Sequence, residues 1–556
     1  IGVFFLALIG IIVWVVRQKQ NDSADYFLGG RDATWLAIGA SIFASNIGSE
    51  HLIGLAGAGA SSGMAMAHWE IQGWMILILG WVFVPFYTRS MVYTMPEFLE
   101  RRYNPQSRTI LSVISLVSYV LTKVAVTVYA GGLVFQQVFG IKELWGIDFF
   151  WIAAIGLVVL TALYTIFGGM KSVLYTSVLQ TPILLLGSLI ILVLGFKELG
   201  GWDEMMRVCG AVTVNDYGDT MTNLIRSNDD ANFPWLGALI GSAIIGFWYW
   251  CTDQFIVQRV LSGKNEMEAR RGTIFGAYLK LLPVFLFLIP GMIAFALHQK
   301  YIGAGGEGFL PMLENGTANA DAAFPTLVAK LLPAGVKGLV VCGILAALMS
   351  SLASLFNSSA MLFTIDFYKR FKPETPEKKL VGIGQIATIV IVVLGILWIP
   401  IMRSVGDVLY TYLQDVQSVL APGIAAAFLL GICWKRTSAQ GGMWGLISGM
   451  VIGLTRLGAK VYYSNAGEVA DSTFKYLFYD MNWLFFCGWM FLFCIIVVIV
   501  VSLATEAPTA EKIQGLVFGT ATKKQKAATR ASWNHWDIIH TVIILAITAA
   551  FYWYFW

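Results

Sequence analysis

The chain has 556 residues, of which 57% are hydrophobic and only 13% charged, with a formal net charge of +4 and a mean hydropathy of +0.71. Soluble domains carry about 25% charged residues, so this chain cannot coat the several domains that a soluble protein of its length would build. Composition excludes a cytosolic enzyme, a secreted module, a nucleic-acid-binding surface and a disordered chain; what remains is a protein whose outer surface faces lipid.

A spanning helix needs roughly 20 apolar residues, and on that criterion about 14 spans are predicted. They fall at 1–16, 34–60, 64–87, 108–139, 148–168, 173–196, 234–261, 272–299, 337–366, 380–402, 406–432, 441–462, 481–505 and 535–556. The first reads as a spanning helix whose true start has been trimmed. It is not read as a signal peptide, because neither a charged n-region nor a small-residue cleavage site accompanies it. Several spans exceed the length a bilayer needs, which predicts tilt or unwinding.

Lys and Arg favour cytoplasmic loops. With the N-terminus outside, those loops collect Arg89, Arg101, Arg102, Arg108, Lys264, Arg270, Arg271, Lys369, Arg370, Lys372, Lys378 and Lys379, and later Lys435, Arg436, Lys523, Lys524, Lys526 and Arg530. An even span count then puts both termini outside, in a multi-pass plasma-membrane protein of the bacterial inner-membrane type. Two long outer loops are expected at 199–233 and 301–336. The second contains Gly303-Ala-Gly-Gly-Glu-Gly308, which matches a dinucleotide fingerprint by letter. It follows a membrane helix rather than a strand, so it reads as a loop. Asn315-Gly-Thr317 is a glycosylation sequon only in a eukaryotic source. The six cysteines form no CxxC pair, so neither a disulfide framework nor a zinc site follows.

An ionisable side chain at bilayer depth is costly unless paired or wet. The spans hold Glu50, His51, His68, Glu70, Lys123, Asp253, Arg259, Lys280 and Asp415. Asp253 and Arg259 are expected to be structural, as members of buried pairs or at helix ends; Glu50, His51, Glu70 and Lys280 are expected to serve function. The second span, rich in Gly, Ser and Ala from Gly39 to Gly63, permits either close helix packing or a discontinuous helix whose freed carbonyls bind a cation. Asn46, Glu50 and His51 favour the break. The ninth span carries Ser350, Ser351, Ser354, Asn357, Ser358 and Ser359. Hydroxyls and carbonyls are hard donors suited to an alkali cation, so the two spans together predict a sodium site. Trp248-Tyr249-Trp250 lies mid-span, where flat aromatic faces beside carboxylate, amide, imidazole and ammonium groups suit a polyol. Such a ligand needs many hydrogen bonds, because an unpaired donor in a dry site is costly.

The segments ADYFLGGR, GASIFASNIGSEHLIGLAG, WYWCTDQFIVQRVLSGKN, YLKLLP, MSSLASLFNSSAMLFTIDFY and YLQDVQSVLAPGIAAAFLLGICWKR resemble the sodium/solute symporter family, in its sodium/sugar cotransporter branch. The resemblance runs in order over nearly the whole chain. It implies an all-α polytopic LeuT-type fold: a leading helix at 1–16, inverted five-helix repeats at 34–196 and 234–432, and three further helices within 441–556. It also implies a Na⁺ site from backbone oxygens of Ala44, Ile47 and Ala347 and hydroxyls of Ser350 and Ser351. The implied sugar site holds Asn46, His51, Glu70, Tyr249, Trp250, Lys280 and Gln414. Tyr249 is the expected inner gate, and Leu55, Trp69 and Tyr410 occupy outer-gate positions. The implied partners are a sugar, sodium and the bilayer, with a monomer as the functional unit.

There are departures from the family pattern. Gly73 and Gly246 stand where relatives carry Ser, Asn or Thr, which removes two side-chain contacts to sugar. Ser177 replaces an Asp, and Ala353 a hydroxyl, that help bind a second sodium in two-ion relatives. The expected activity is thus symport of one Na⁺ with one hexose of glucose or galactose type, by alternating access. Alternatives are another solute of the same family (myo-inositol or sialic acid) or a passive solute or water channel. No HExxH, GxSxG or paired-aspartate motif supports an enzyme.

Overall fold

A computed structural model describes residues 2–18, 22–48, 50–313, 316–402, 409–465 and 470–556. The sequon residue Asn315 lies outside the described residues. Among those described, nine helices are long and apolar enough to cross a membrane. Shorter apolar helices include Gly2–Arg17 and Trp35–Asn46. Among the described residues, the only paired strands of regular form are Glu143–Leu144 and Ile147–Asp148, a small antiparallel hairpin. Long apolar side chains face outward where a helix meets lipid, as Leu492, Ile496 and Val500 do on Trp483–Ala504.

The expected span 34–60 is interrupted. Helix Trp35–Asn46 stops at Ile47, whose backbone is extended (φ −81°, ψ 101°). The chain resumes as a π turn over Glu50–Leu55 and a helix over Ala56–Ser62. The small residues also pack, so a break and a close helix contact both occur, at different places along the segment. A Cβ at Gly59 would lie 2.2 Å from the Leu288 carbonyl oxygen, and one at Gly291 would lie 1.9 Å from that of Ala56. Two backbones cross there at a distance that no side chain allows.

The span expected at 234–261 is broken as well. Helix Trp235–Gly246 runs into a π turn, Phe247–Thr252, and Asp253 is extended before helix Gln254–Leu261. The Asp253 carboxylate accepts from the Phe255 N–H at 3.3 Å and caps that last helix. Spans 148–168 and 173–196 are two helices within Phe149–Leu199, divided by a kink at Gly169, whose backbone is not helical (φ 53°, ψ −150°). A Cβ at Gly169 would lie 2.4 Å from the Tyr26 carbonyl oxygen, so glycine permits both the bend and the contact. This segment packs along Ala334–Met361, which carries the serine run. Asn46 at the first break bonds Tyr249 in the second; Glu266–Lys280 and Ala334–Met361 pack against Trp35–Asn46, and Leu409–Cys433 packs against both π turns.

Candidate functional site

A helix leaves its last four carbonyls without intrahelical partners. Where Trp35–Asn46 ends, those oxygens meet the serines of Ala334–Met361. The Ser351 hydroxyl donates to the Ser45 carbonyl at 3.0 Å and to the Ile47 carbonyl at 3.2 Å. Ser45 and Ser354 hydroxyls lie 2.7 Å apart. Ala44, Ile47, Ala347, Ser350 and Ser351 are all buried at this contact between the two helices. Carbonyl and hydroxyl oxygens, with no sulfur or imidazole among them, fit a small hard cation.

Ser177, on the helix that follows the Gly169 kink, reaches the same place. Its hydroxyl donates to the Val173 carbonyl at 2.6 Å, within its own helix, and lies 3.3 Å from the Ser350 hydroxyl and 3.5 Å from that of Ser41. Ala353 is wholly buried one turn along. The neighbourhood of Ser350 thus contains hydroxyls and a methyl group where a carboxylate is expected in two-ion relatives.

Next to the helix breaks is an internal cavity. All seven expected sugar-site residues line it: Asn46, His51, Glu70, Tyr249, Trp250, Lys280 and Gln414. Five of them form a continuous polar chain, Tyr249–Asn46–Lys280–Glu70–His51. Lys280 Nζ donates to Glu70 Oε2 at 2.6 Å and to Asn46 Oδ1 at 3.1 Å. Asn46 Nδ2 donates to the Tyr249 hydroxyl at 3.2 Å. His51 Nε2 lies 3.3 Å from Glu70 Oε2. The Lys280 ammonium also sits 5.3 Å from the centre of the Trp250 ring, which adds a cation–π contact. A lysine donates only, so it fixes the orientation of the Asn46 amide. Gln414 is buried, and its Oε1 has no hydrogen-bond partner among the described residues. An unsatisfied buried acceptor is costly, and here it borders the cavity.

Of the gate positions, Trp69 lines the cavity and stacks on Trp483 with ring centres 5.5 Å apart. Leu55 is fully buried at the end of the π turn. Tyr410 belongs to helix Leu409–Cys433, but its side chain lies outside the described residues.

Asp253 and Arg259 do not pair with each other; Asp253 caps a helix and sits in a buried ion pair, and Arg259 has another buried partner. Six residues on a helix place two side chains about 240° apart, and Asp253 precedes the helix in extended backbone. Lys123 Nζ instead bonds Asp253 Oδ2 at 2.6 Å, and the Tyr119 hydroxyl bonds Oδ1. Lys123 itself lines the cavity and lies 4.6 Å from the centre of the Tyr249 ring, so this second buried ion pair is part of the cavity wall. Arg259 bonds the Ser45 hydroxyl through Nε at 3.2 Å. Asp415 pairs with Lys460. His68 is structural: its ring nitrogens meet the Tyr552 hydroxyl at 2.9 Å and the Leu224 carbonyl at 3.1 Å.

Sequence reasoning missed Gln72, Thr127 and Gln417, which also line the cavity. Neutral polar residues inside apolar runs are a weak signal, because they cost far less at bilayer depth than charges do.

A family model described as the sodium:solute symporter family matches residues 26–449. The Homo sapiens protein named sodium/myo-inositol cotransporter 2 is 36% identical over 531 residues, covering 93% of this chain and 78% of that protein. The sodium/myo-inositol cotransporter of Canis lupus familiaris is 37% identical over 543 residues, covering 93% and 74%. A solved structure of a Na⁺-coupled sialic acid symporter superposes with a TM-score of 0.72 over 91% of this chain and 98% of its own, at 22% identity. That last likeness is one of fold alone.

Proposed function

Because the chain belongs to the sodium:solute symporter family, in which Na⁺ is the co-transported ion, we propose that it couples inward movement of one Na⁺ to uptake of one cyclic polyol, with myo-inositol as the first candidate. The observation that carries this reading is the buried network Tyr249–Asn46–Lys280–Glu70–His51, which borders the same helix break as Ser350 and Ser351. A ring bearing a hydroxyl on every carbon needs alternating donors and acceptors, and this wall supplies carboxylate, ammonium, amide, imidazole and phenol. The names of the relatives support myo-inositol ahead of the hexose that motif resemblance puts first.

In this reading Na⁺ takes the oxygens of Ala44, Ile47, Ala347, Ser350 and Ser351. By gathering the loose end of Trp35–Asn46, the ion fixes Asn46 and His51 for the solute. Trp69, Leu55 and Tyr410 close the outer side, and Tyr249 yields on the inner side. The architecture we assign is fourteen spans with inverted repeats at 34–196 and 234–432, both termini outside the plasma membrane and a monomer as the working unit. Ser177 and Ala353 support a single ion. One inward Na⁺ yields about 2.3 kcal/mol per 100 mV, plus about 1.4 kcal/mol per tenfold gradient. Together these concentrate a neutral solute a few hundred-fold.

The test is uptake of labelled myo-inositol into proteoliposomes under an imposed Na⁺ gradient, with glucose, galactose and sialic acid as competitors. Myo-inositol uptake should require Na⁺ and resist tenfold excess hexose. Uptake indifferent to Na⁺, or a hexose that displaces myo-inositol at equal concentration, overturns the reading. A reversal potential corresponding to two ions overturns the stoichiometry.

A further inference from the structure

Gln72 belongs to no expected site, yet its amide sits in the cavity wall and only 3% of the residue is exposed. It caps the short helix Gly73–Ile78. Its Nε2 donates to the Ser242 carbonyl at 2.8 Å, and its Oε1 accepts from the Trp250 indole N–H at 3.2 Å. An indole nitrogen only donates and a backbone carbonyl only accepts, so these two partners fix which way round the amide lies.

A primary amide offers two N–H donors and two oxygen lone pairs. The protein uses one of each. One donor and one acceptor remain at the cavity wall, which is the complement of a hydroxyl group that gives one hydrogen bond and takes one.

Gly246 is what lets the amide reach this place. A Cβ there would lie 2.5 Å from Gln72 Oε1 and 2.8 Å from its Cδ, closer than atoms approach. The sequence departure that removes a polar side chain at 246 therefore does not leave the wall bare. Space freed on one helix is filled by an amide from another.

We propose that Gln72 is a substrate-contacting, specificity-determining residue of this carrier, binding one ring hydroxyl of the cyclic polyol as both donor and acceptor in the space that Gly246 provides. The inference rests on the polyol reading above but does not depend on which polyol is carried.

The test uses the full-length protein in proteoliposomes, with myo-inositol and its single-deoxy analogues. Gln72→Met keeps the bulk and removes both hydrogen bonds. It should raise the half-saturating myo-inositol concentration about tenfold or more and leave the half-saturating Na⁺ concentration unchanged. One deoxy analogue, lacking the hydroxyl that meets Gln72, should bind wild type and Gln72→Met equally, whereas the others should show the full tenfold difference. Gly246→Ala should impair uptake at least tenfold, and Gln72→Ala placed in that background should restore part of it. The inference is overturned if every analogue is weakened equally by Gln72→Met, because the amide then only holds Trp250. It is also overturned if Gly246→Ala is harmless while Gln72 is present. If wild type carries a hexose instead, the same variants with deoxyhexoses still decide the role of Gln72, while the myo-inositol assignment fails separately.

Discussion

Removing the Ser350 hydroxyl should separate ion binding from everything else the protein does. Ser350 is buried, and its nearest hydroxyl neighbour, Ser177, already donates to the Val173 carbonyl at 2.6 Å. Ser350→Ala therefore orphans no donor in the ion-free protein, and the missing oxygen opens only a very small void. The cost falls on the Na⁺ complex, which loses one of five proposed oxygen ligands. A polar contact to a charged group is worth about 1.5–3 kcal/mol, so the half-saturating Na⁺ concentration should rise about 10- to 150-fold. Ser351→Ala is the useful contrast. Its hydroxyl donates to the Ser45 and Ile47 carbonyls at 3.0 and 3.2 Å, so its loss also frees the helix end and should lower thermal stability without Na⁺. Two assays read the difference: Na⁺ titration of solute uptake, and the Na⁺-induced rise in melting temperature, which follows ion affinity by mass action. An unchanged Na⁺ dependence in Ser350→Ala, with normal folding, would refute the site. A loss of ion-free stability in Ser350→Ala as large as in Ser351→Ala would refute the reasoning that separates them.

Lys280→Gln removes the ammonium that bonds both Glu70 and Asn46; like Gln414→Ala, it should raise half-saturating solute concentration tenfold or more while shifting Na⁺ affinity far less, measured in the same uptake assay. Lys123→Met breaks a buried ion pair and should cost about 3–5 kcal/mol of stability; adding Asp253→Asn should recover part of that in thermal unfolding, because the leftover carboxylate is the expensive group. In the loop before the second broken helix, burial pushes the Asp230 carboxyl up, but the Phe233 N–H, the Asn215 amide, the Asn232 N–H and Arg226 outweigh it and hold the group below its ordinary range. A depressed carboxyl stabilises the fold above its unfolded value of about 3.9 and loses that contribution as pH falls through the folded value. Asp230→Asn should therefore lower the melting temperature at pH 7 and at pH 5 alike, and the gap from wild type should narrow only below about pH 4.

Burial of the ionisable residues was legible because charge in a lipid-facing chain is costly wherever it is unpaired; their partners were not. Glu70 and Lys280 are 210 residues apart in sequence, and no local pattern joins them. Asp253 and Arg259 are near neighbours in sequence, yet helix geometry turns them apart and the carboxylate is taken by Lys123, which arrives from another helix. The break at Ile47 was foreshadowed by Gly, Ser and Ala density. The matching break at Asp253 was not, since WYWCTDQF contains no glycine or proline to mark it. Gln72 was invisible for a different reason. A neutral amide is unremarkable in an apolar run, and its importance comes from a glycine 174 positions later whose missing side chain makes room for it, an amide that then bonds Ser242 170 positions away.

By itself, then, the sequence determined the solvent the protein lives in, where its apolar helical segments fall, and the hard-oxygen character of the serine run, because each follows from transfer free energies and residue type alone. Only the tertiary structure decided which buried charges neutralise one another, which carbonyls meet the serines, and which amide fills the space at Gly246. Those outcomes depend on distances between helices that the chain order does not encode locally, and a shift of 1 Å in any of those distances would change them.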